Sequence, residues 1–128
     1  MLTKGPVSPG LHGLFDYVLG IVLVAGPFVL GFDDDTATTV SVVAGVAELV
    51  VASTTAWSRG IVKVIPPAVH GMIDYVFVVL LIVAPFVLGF SDDDTAKVFF
   101  LVLGVGGLLL VAATRFVPDE GTPKRAAA

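Results

Sequence analysis

The stretch HGLFDY at residues 12–17 recurs as HGMIDY at residues 70–75, each time at the start of a long apolar run. Downstream of both copies, the block PFVLGF occupies residues 27–32 and 85–90. One extra residue in the second unit then aligns Gly45, Leu49 and Thr55 with Gly104, Leu108 and Thr114. The chain is therefore a tandem duplication, with repeat 1 at residues 9–57 and repeat 2 at residues 67–116.

The composition indicates a membrane protein rather than a soluble domain. Of the 128 residues, 56% are hydrophobic and 14% are charged, and the mean hydropathy is +1.00. Four apolar runs approach the ~20 residues that a helix needs to cross a bilayer. They are Leu11–Phe32, Thr38–Trp57, Val69–Phe90 and Val98–Phe116. The sequence predicts an all-α fold, a four-transmembrane-helix bundle that forms a single membrane domain over residues 1–128.

The number of spans in each repeat predicts how the two repeats are related. Because each repeat crosses the membrane twice, both repeats enter from the same side, and we expect parallel two-helix repeats with His12 and His70 at the same face. Six basic residues lie at the termini and in the central loop, whereas the two short turns contain only Lys97. This asymmetry predicts a multi-pass protein of the cell membrane with cytoplasmic N- and C-termini. Residues 117–128 are expected to form a disordered tail.

The repeated motif places a histidine and an aspartate on one helical face. His12 and Asp16 are four residues apart, as are His70 and Asp74, so each imidazole can reach the carboxylate of its own helix. We expect the same faces to continue through Gly20, Leu23 and Pro27, and through Val78, Leu81 and Pro85. Hydroxyl groups at residues 53–55 are expected beside Asp16, and the Thr114 hydroxyl beside Asp74, as hydrogen-bonding clamps between helices.

Other residues in the spans also suggest roles. Glu48 lies near the centre of the second span, on a stripe of small or hydroxylated residues expected to face another helix. Tyr17 and Tyr75, with Trp57 and Phe116, are suited to an aromatic belt at the inner interface. The stripe consists of Ser41, Ala44, Gly45, Ala52 and Thr55. The ionisable and tyrosine side chains together form a candidate polar cluster of His12, Asp16, Tyr17, Glu48, His70, Asp74 and Tyr75.

Prolines and aspartates mark the outer ends of the spans. Pro27 and Pro85 each remove a backbone N–H, so both spans are expected to bend there. The turns FDDDTA and FSDDDTA supply side-chain acceptors for the first N–H groups of the following helices. A Ca²⁺ site is the less favoured interpretation of these aspartates, because the alternating ligand spacing of an EF-hand loop is absent from the sequence.

The repeat resembles the SPW repeat family of small bacterial membrane proteins. The resemblance rests on two spans per unit, a proline-aromatic pair late in the first span (GPF at residues 26–28, APF at residues 84–86), the following glycine, and a second span with a central glycine. Serine is replaced by Gly26 or Ala84, and tryptophan by Phe28 or Phe86. The family has no settled biochemical role, so the resemblance implies a topology rather than an activity.

The sequence favours a structural or assembly role without enzymatic activity or cofactor. Small residues such as Gly104, Gly106, Gly107 and Ala112 would let helices pair within the chain, in a homo-oligomer or with another membrane protein, and the lipid bilayer is the expected surrounding. Two alternatives remain open: a proton or small-ion pathway along the ionisable residues, and a haem or metal bound between His12 and His70. The net charge of −4 argues against nucleic acid.

Overall fold

The helices occupy the four apolar runs of the sequence. A computed structural model describes residues 5–116, and these residues form four α-helices: α1 (Pro9–Leu30), α2 (Asp35–Ser53), α3 (Pro67–Val87) and α4 (Asp94–Ala113). All four helices within this range are long and apolar enough to cross a membrane. The predicted all-α, four-helix architecture is confirmed. The expected tail at residues 117–128 lies outside the described residues.

The block PFVLGF ends the first helix of each hairpin. Gly31 and Gly89 adopt left-handed backbone conformations, with φ of 69° and 81°, which a residue with a Cβ rarely adopts. α1 and α3 continue through Pro27 and Pro85, and the expected bend at these positions stays a prediction. Pro27 leaves the carbonyl of Leu23 without its helical partner, and the Ser41 hydroxyl of α2 donates to that carbonyl at 2.6 Å.

Aspartates cap the second helix of each hairpin, as predicted. The Asp34 carboxylate accepts a hydrogen bond from the Ala37 N–H at 2.9 Å, and the Asp93 carboxylate accepts one from the Ala96 N–H at 3.0 Å. Asp93 also accepts hydrogen bonds from the N–H groups of Asp33 and Asp34, at 2.8 and 3.0 Å. These contacts join the turn of one hairpin to the turn of the other.

Glycines allow the helices within each hairpin to pack closely. α1 packs along α2, and α3 packs along α4. A Cβ on Gly45 would lie 2.7 Å from the backbone oxygen of Gly20, and one on Gly104 would lie 2.6 Å from the Ile82 side chain. Gly104 and Gly107 therefore pack against α3 within the chain, whereas Gly106 has open space beside it.

An apolar core joins the two hairpins near the aspartate turns, while the outward faces of the helices are also apolar. The buried residues of this core are Leu23, Ala37, Leu81, Ala84, Phe90, Ala96, Phe99 and Phe100. On the outer surface, Val29 and Val87 are 80% and 74% exposed. Apolar residues on both the inside and the outside of a helix are typical of a bundle surrounded by lipid.

The close approach at Gly45 gives a first testable prediction. Gly45→Ala should destabilise the protein by about 1–3 kcal/mol, because the added methyl meets backbone atoms of α1 that cannot move freely. Gly106→Ala is the matched control, and it should be neutral or slightly stabilising since the new methyl has space. Denaturant unfolding in detergent micelles measures both. Equal stability of the two variants would contradict the packing described here.

The Asp93 cap gives a second prediction, on pH dependence. Burial raises the pKa of the Asp93 carboxyl, but hydrogen bonds from the N–H groups of Ala96, Asp34 and Asp33 outweigh it and hold the pKa below its ordinary value. Because the folded-state pKa is lowered, the stabilisation is complete above about pH 4 and is lost as the pH falls through the folded-state value. Asp93→Asn should therefore reduce the loss of thermal stability in acid, measured in micelles.

Asp92→Asn is the control for this experiment, because Asp92 is an exposed carboxylate of the same turn. If both variants keep the acid sensitivity of the unchanged protein, the Asp93 cap does not contribute to it.

Candidate polar site

Four ionisable side chains from α1 and α3 form a buried cluster. His12 Nε2 lies 3.1 Å from Asp16 Oδ1 and 2.9 Å from Asp74 Oδ2. His70 Nε2 lies 3.0 Å from Asp16 Oδ2 and 3.0 Å from Asp74 Oδ2. The predicted pairing within each helix is thus present, and each histidine also contacts the aspartate of the other hairpin. We call His12, Asp16, His70 and Asp74 the His–Asp cluster.

Two threonines orient the histidines. Thr114 Oγ1 lies 2.8 Å from His12 Nδ1, and Thr55 Oγ1 lies 2.7 Å from His70 Nδ1. The prediction that these hydroxyls contact the aspartates is wrong, because each threonine contacts the histidine of the opposite hairpin. Each hydroxyl also donates to the carbonyl four residues before it, at 2.7 Å, in Val51 for Thr55 and in Leu110 for Thr114.

The direction of these hydrogen bonds determines which ring nitrogen carries a proton. A hydroxyl has one proton, and in Thr55 and Thr114 that proton is donated to a backbone carbonyl. Towards the histidine, the oxygen can only accept, so Nδ1 of each imidazole is the donor. In a neutral imidazole, Nε2 then presents a lone pair to the carboxylates.

Trp57 and Phe116 cover the cluster. The Trp57 ring centroid lies 4.2 Å from that of His70, and the Phe116 centroid lies 5.0 Å from that of His12. Their side chains are only 5% and 3% exposed, so the prediction that they form an interfacial belt is wrong. The glycine after each histidine makes room for them, because a Cβ on Gly13 would lie 3.1 Å from Trp57 and one on Gly71 would lie 2.8 Å from Phe116.

The remaining predicted residues lie around the cluster rather than in it. Glu48 is 3% exposed and lies close enough to Asp16, Asp74 and His70 to interact with their charges. Tyr17 is half-buried, and its hydroxyl donates to the backbone oxygen of Arg59 at 2.7 Å, so it holds the loop between α2 and α3. Tyr75 packs beside the apolar residues near Phe116. Of the expected stripe, Ser41, Gly45 and Ala52 of α2 and Thr55 beyond it are buried, whereas Ala44 is half-buried.

The cluster has the composition of a metal-ligand set. His12 and His70 are fully buried, Asp16 and Asp74 are each 3% exposed, and one ligand atom from each residue lies within 4.8 Å of all the others. Within residues 5–116, Asp74 Oδ1 is buried without a hydrogen-bond partner. Imidazole nitrogens and carboxylate oxygens together can bind a divalent ion or hold protons between them.

Helical spacing predicted each His–Asp pair but not the contact between the pairs, nor the part played by the threonines and the aromatic rings. A signal for the missing contacts was available in the duplication. Thr55 and Thr114 are equivalent positions, as are Trp57 and Phe116, and each set closes the helical hairpin of its repeat near the histidine end. Because these equivalent residues lie at the same end of both hairpins, they indicate one shared site rather than two separate sites.

Comparison with known proteins identifies the repeat. The family model described as SPW repeat domain matches residues 10–115, a range that includes both hairpins and the whole His–Asp cluster. Comparisons with curated proteins and with solved structures gave no match.

The threonine contacts give a third prediction. Thr55→Val removes the acceptor for the His70 Nδ1–H and should destabilise the protein by about 1–3 kcal/mol, because a buried donor is left without a partner. Thr39→Val is the matched control at an exposed position of α2, the helix that precedes Thr55, and it should have little effect. Unfolding in detergent micelles measures the difference. A Thr55→Val protein as stable as the control would refute the assigned donor and acceptor.

Proposed function

The chain belongs to the SPW repeat family, and we propose that it is an integral membrane protein of structural or assembly type, without catalytic activity. Its two helical hairpins act as one unit because the buried His–Asp cluster holds them together. The observation that carries this proposal is the reciprocal contact in which His12 reaches Asp74 and His70 reaches Asp16. Each hairpin supplies half of every cross-hairpin pair.

The physical need for such a link supports the proposal. In lipid, apolar helices gain little from leaving the surrounding hydrocarbon, so association depends on close packing and on polar contacts. A single charged side chain within a span costs about 2.5–3.5 kcal/mol on the insertion scale, and pairing with groups of the other hairpin offsets that cost. The cluster therefore stabilises the paired state over separated hairpins.

The proposed setting is the cytoplasmic membrane, with the N- and C-termini in the cytoplasm. The exposed basic residues Arg59 and Lys63 support this orientation, because they lie in the loop that joins α2 to α3, near the histidine ends of α1 and α3. The aspartate turns would then face outward. Positively charged loops are retained on the cytoplasmic side of membranes.

The alternative function, a proton or small-ion pathway through His12, Asp16, Glu48, Asp74 and His70, has less support. Between this cluster and the aspartate turns, the core contains large apolar side chains, among them Leu23, Phe90 and Phe100, which are at most 1% exposed. Close-packed apolar side chains oppose the passage of an ion. The geometry favours a closed polar site over a pathway across the bundle.

Cleavage of the loop between the hairpins tests the proposed link. Limited trypsin digestion of the full-length protein at the exposed Lys63 should give two fragments that still copurify in mild detergent. In Asp16→Ala/Asp74→Ala, the fragments should separate at lower detergent stringency, because both carboxylates that reach across are gone. Asp16→Asn/Asp74→Asn should retain more of the association, since the amide N–H groups can donate to the histidine Nε2 atoms.

Asp35→Ala/Asp92→Ala is the control, because it removes two exposed carboxylates far from the cluster. Its fragments should behave like those of the unchanged protein. If the cluster variant also behaves like the unchanged protein, the hairpins are held together by other contacts and the proposal fails.

A further inference from the structure

The contacts within the His–Asp cluster exceed the number of protons available to make them. Each Nε2 lies 2.9–3.1 Å from two carboxylate oxygens, which gives four short contacts at two nitrogen atoms. An Nε2 carries at most one proton, and that proton lies in the ring plane and points in one direction. At least two of the four contacts therefore lack a well-aligned hydrogen bond.

The threonines strengthen this argument. Since Thr55 and Thr114 accept hydrogen bonds from the Nδ1 atoms, the neutral form of each histidine directs an Nε2 lone pair towards the carboxylate oxygens. Lone pairs that face carboxylates repel one another unless a proton or a metal cation lies between them. In metal sites, histidines commonly bind through one ring nitrogen while the other donates to a fixed acceptor, and here the threonine hydroxyls are such acceptors for Nδ1.

We propose that the His–Asp cluster binds one divalent transition-metal ion of the zinc class, through Nε2 of His12 and His70 and a carboxylate oxygen of Asp16 and Asp74. The sequence favours no cofactor and leaves a metal between His12 and His70 as an open alternative, and this inference takes up that alternative. The four ligand atoms already lie within 4.8 Å of one another. Tetrahedral zinc, with bonds of about 2.0–2.2 Å, places neighbouring ligands roughly 3.3 Å apart. The N···O distances of 2.9–3.1 Å would open slightly on binding, and the longest separations between ligand atoms would shorten.

Asp74 provides an independent observation that points to a ligand. Its carboxylate is almost fully buried, and Oδ1 has no hydrogen-bond partner among residues 5–116. A buried carboxylate oxygen without a partner is costly, and coordination of a cation would compensate for it. The other oxygen, Oδ2, already contacts both histidines, so this carboxylate lies within the cluster rather than beside it.

The ligand types and the charge balance define the class of metal. Two carboxylates and two neutral imidazoles carry a charge of −2, which a divalent ion neutralises within a buried site. Imidazole favours zinc, copper, nickel and iron, whereas Mg²⁺ and Ca²⁺ favour sites made of oxygen ligands. A haem between His12 and His70 does not fit, because the two carboxylates occupy the space between the Nε2 atoms.

Trp57 allows the proposal to be tested in the full-length protein. It is the one tryptophan of the sequence, and its ring lies 4.2 Å from that of His70 and 5.8 Å from that of His12. After treatment with a chelator, purified protein in detergent is titrated with Co²⁺. We expect saturation at one Co²⁺ per chain, the visible absorption bands of a tetrahedral Co²⁺ complex, and quenching of Trp57 fluorescence. Zn²⁺ should displace Co²⁺ and restore the fluorescence.

Variants identify the ligands and their support. Asp74→Asn should weaken Co²⁺ binding by more than about 100-fold, and Thr55→Val should weaken it by about 10–100-fold while the ligands remain in place. Asp35→Asn is the matched control, with unchanged binding expected because Asp35 is the exposed first residue of α2, at the end of the bundle away from the cluster. Circular dichroism shows whether each variant remains helical, and the titration of the unchanged protein tests the site even if a variant does not fold.

Two results would overturn the metal site: a helical, unchanged protein that does not bind Co²⁺ or Zn²⁺, or an Asp74→Asn protein that binds Co²⁺ as tightly as the unchanged one. Neither result would contradict the proposed link between the hairpins. That link is measured by copurification of trypsin fragments, and hydrogen bonds alone can maintain it.

Discussion

The contact of each histidine with the aspartate of the other hairpin is the interaction on which the arrangement of the bundle depends. Apolar helices in lipid have no strong preference for one another, so a specific polar contact largely determines which faces meet. Placing four ionisable groups together also makes each of them less costly, because opposite charges or shared protons replace the lost water. The same contact thus stabilises the pairing and specifies its geometry.

Reciprocity between the repeats explains why a duplicated hairpin forms this site. Thr55 of the first repeat orients His70 of the second, and Thr114 of the second orients His12 of the first. The backbone near the ends of the hairpins follows the same exchange, because Val7 pairs with Thr114 and Ile65 pairs with Thr55. One hairpin alone contains only one partner of each of these contacts. Duplication within a single chain supplies both partners in equal numbers and in a fixed order.

The two repeats differ at positions that alter the surroundings of the cluster. Glu48 in repeat 1 corresponds to Gly107 in repeat 2, while Gly20 in repeat 1 corresponds to Val78 in repeat 2. The larger side chain of each exchanged pair is thus Glu48 on α2 in repeat 1 and Val78 on α3 in repeat 2. These two side chains have similar volumes, but only Glu48 adds a carboxyl group beside the cluster. The Ser41 hydroxyl of repeat 1 donates to the Leu23 carbonyl, which has no helical partner because of Pro27. The equivalent residue of repeat 2 is Phe100, whose ring packs on that of Phe90.

Sequence reasoning succeeded where the information is local to one helix and failed where it depends on how helices meet. A period of 3.6 residues identifies the buried face through His12, Asp16, Gly20 and Leu23, and the aspartate-rich turns identify where the caps of α2 and α4 lie. Periodicity does not determine the rotation of one hairpin against another, so the sequence pairs the threonines with the aspartates, whereas the structure pairs them with the histidines. The frequency of tryptophan at membrane interfaces places Trp57 there, but this frequency contains no information about the neighbours of the residue.

The burial of Trp57 and Phe116 also explains why glycine follows each histidine of the repeated motif. A side chain at Gly13 or Gly71 would occupy the space where the aromatic rings cover the cluster. The rings exclude water from the histidine end of the site, and this exclusion strengthens every electrostatic interaction inside it. Trp57 belongs to the loop between α2 and α3, and its indole N–H donates to the Ala52 carbonyl at 3.1 Å, which fixes the ring over the cluster. The aromatic cover closes the histidine end of the site, and the apolar core around Leu23 and Phe100 closes it towards the aspartate turns.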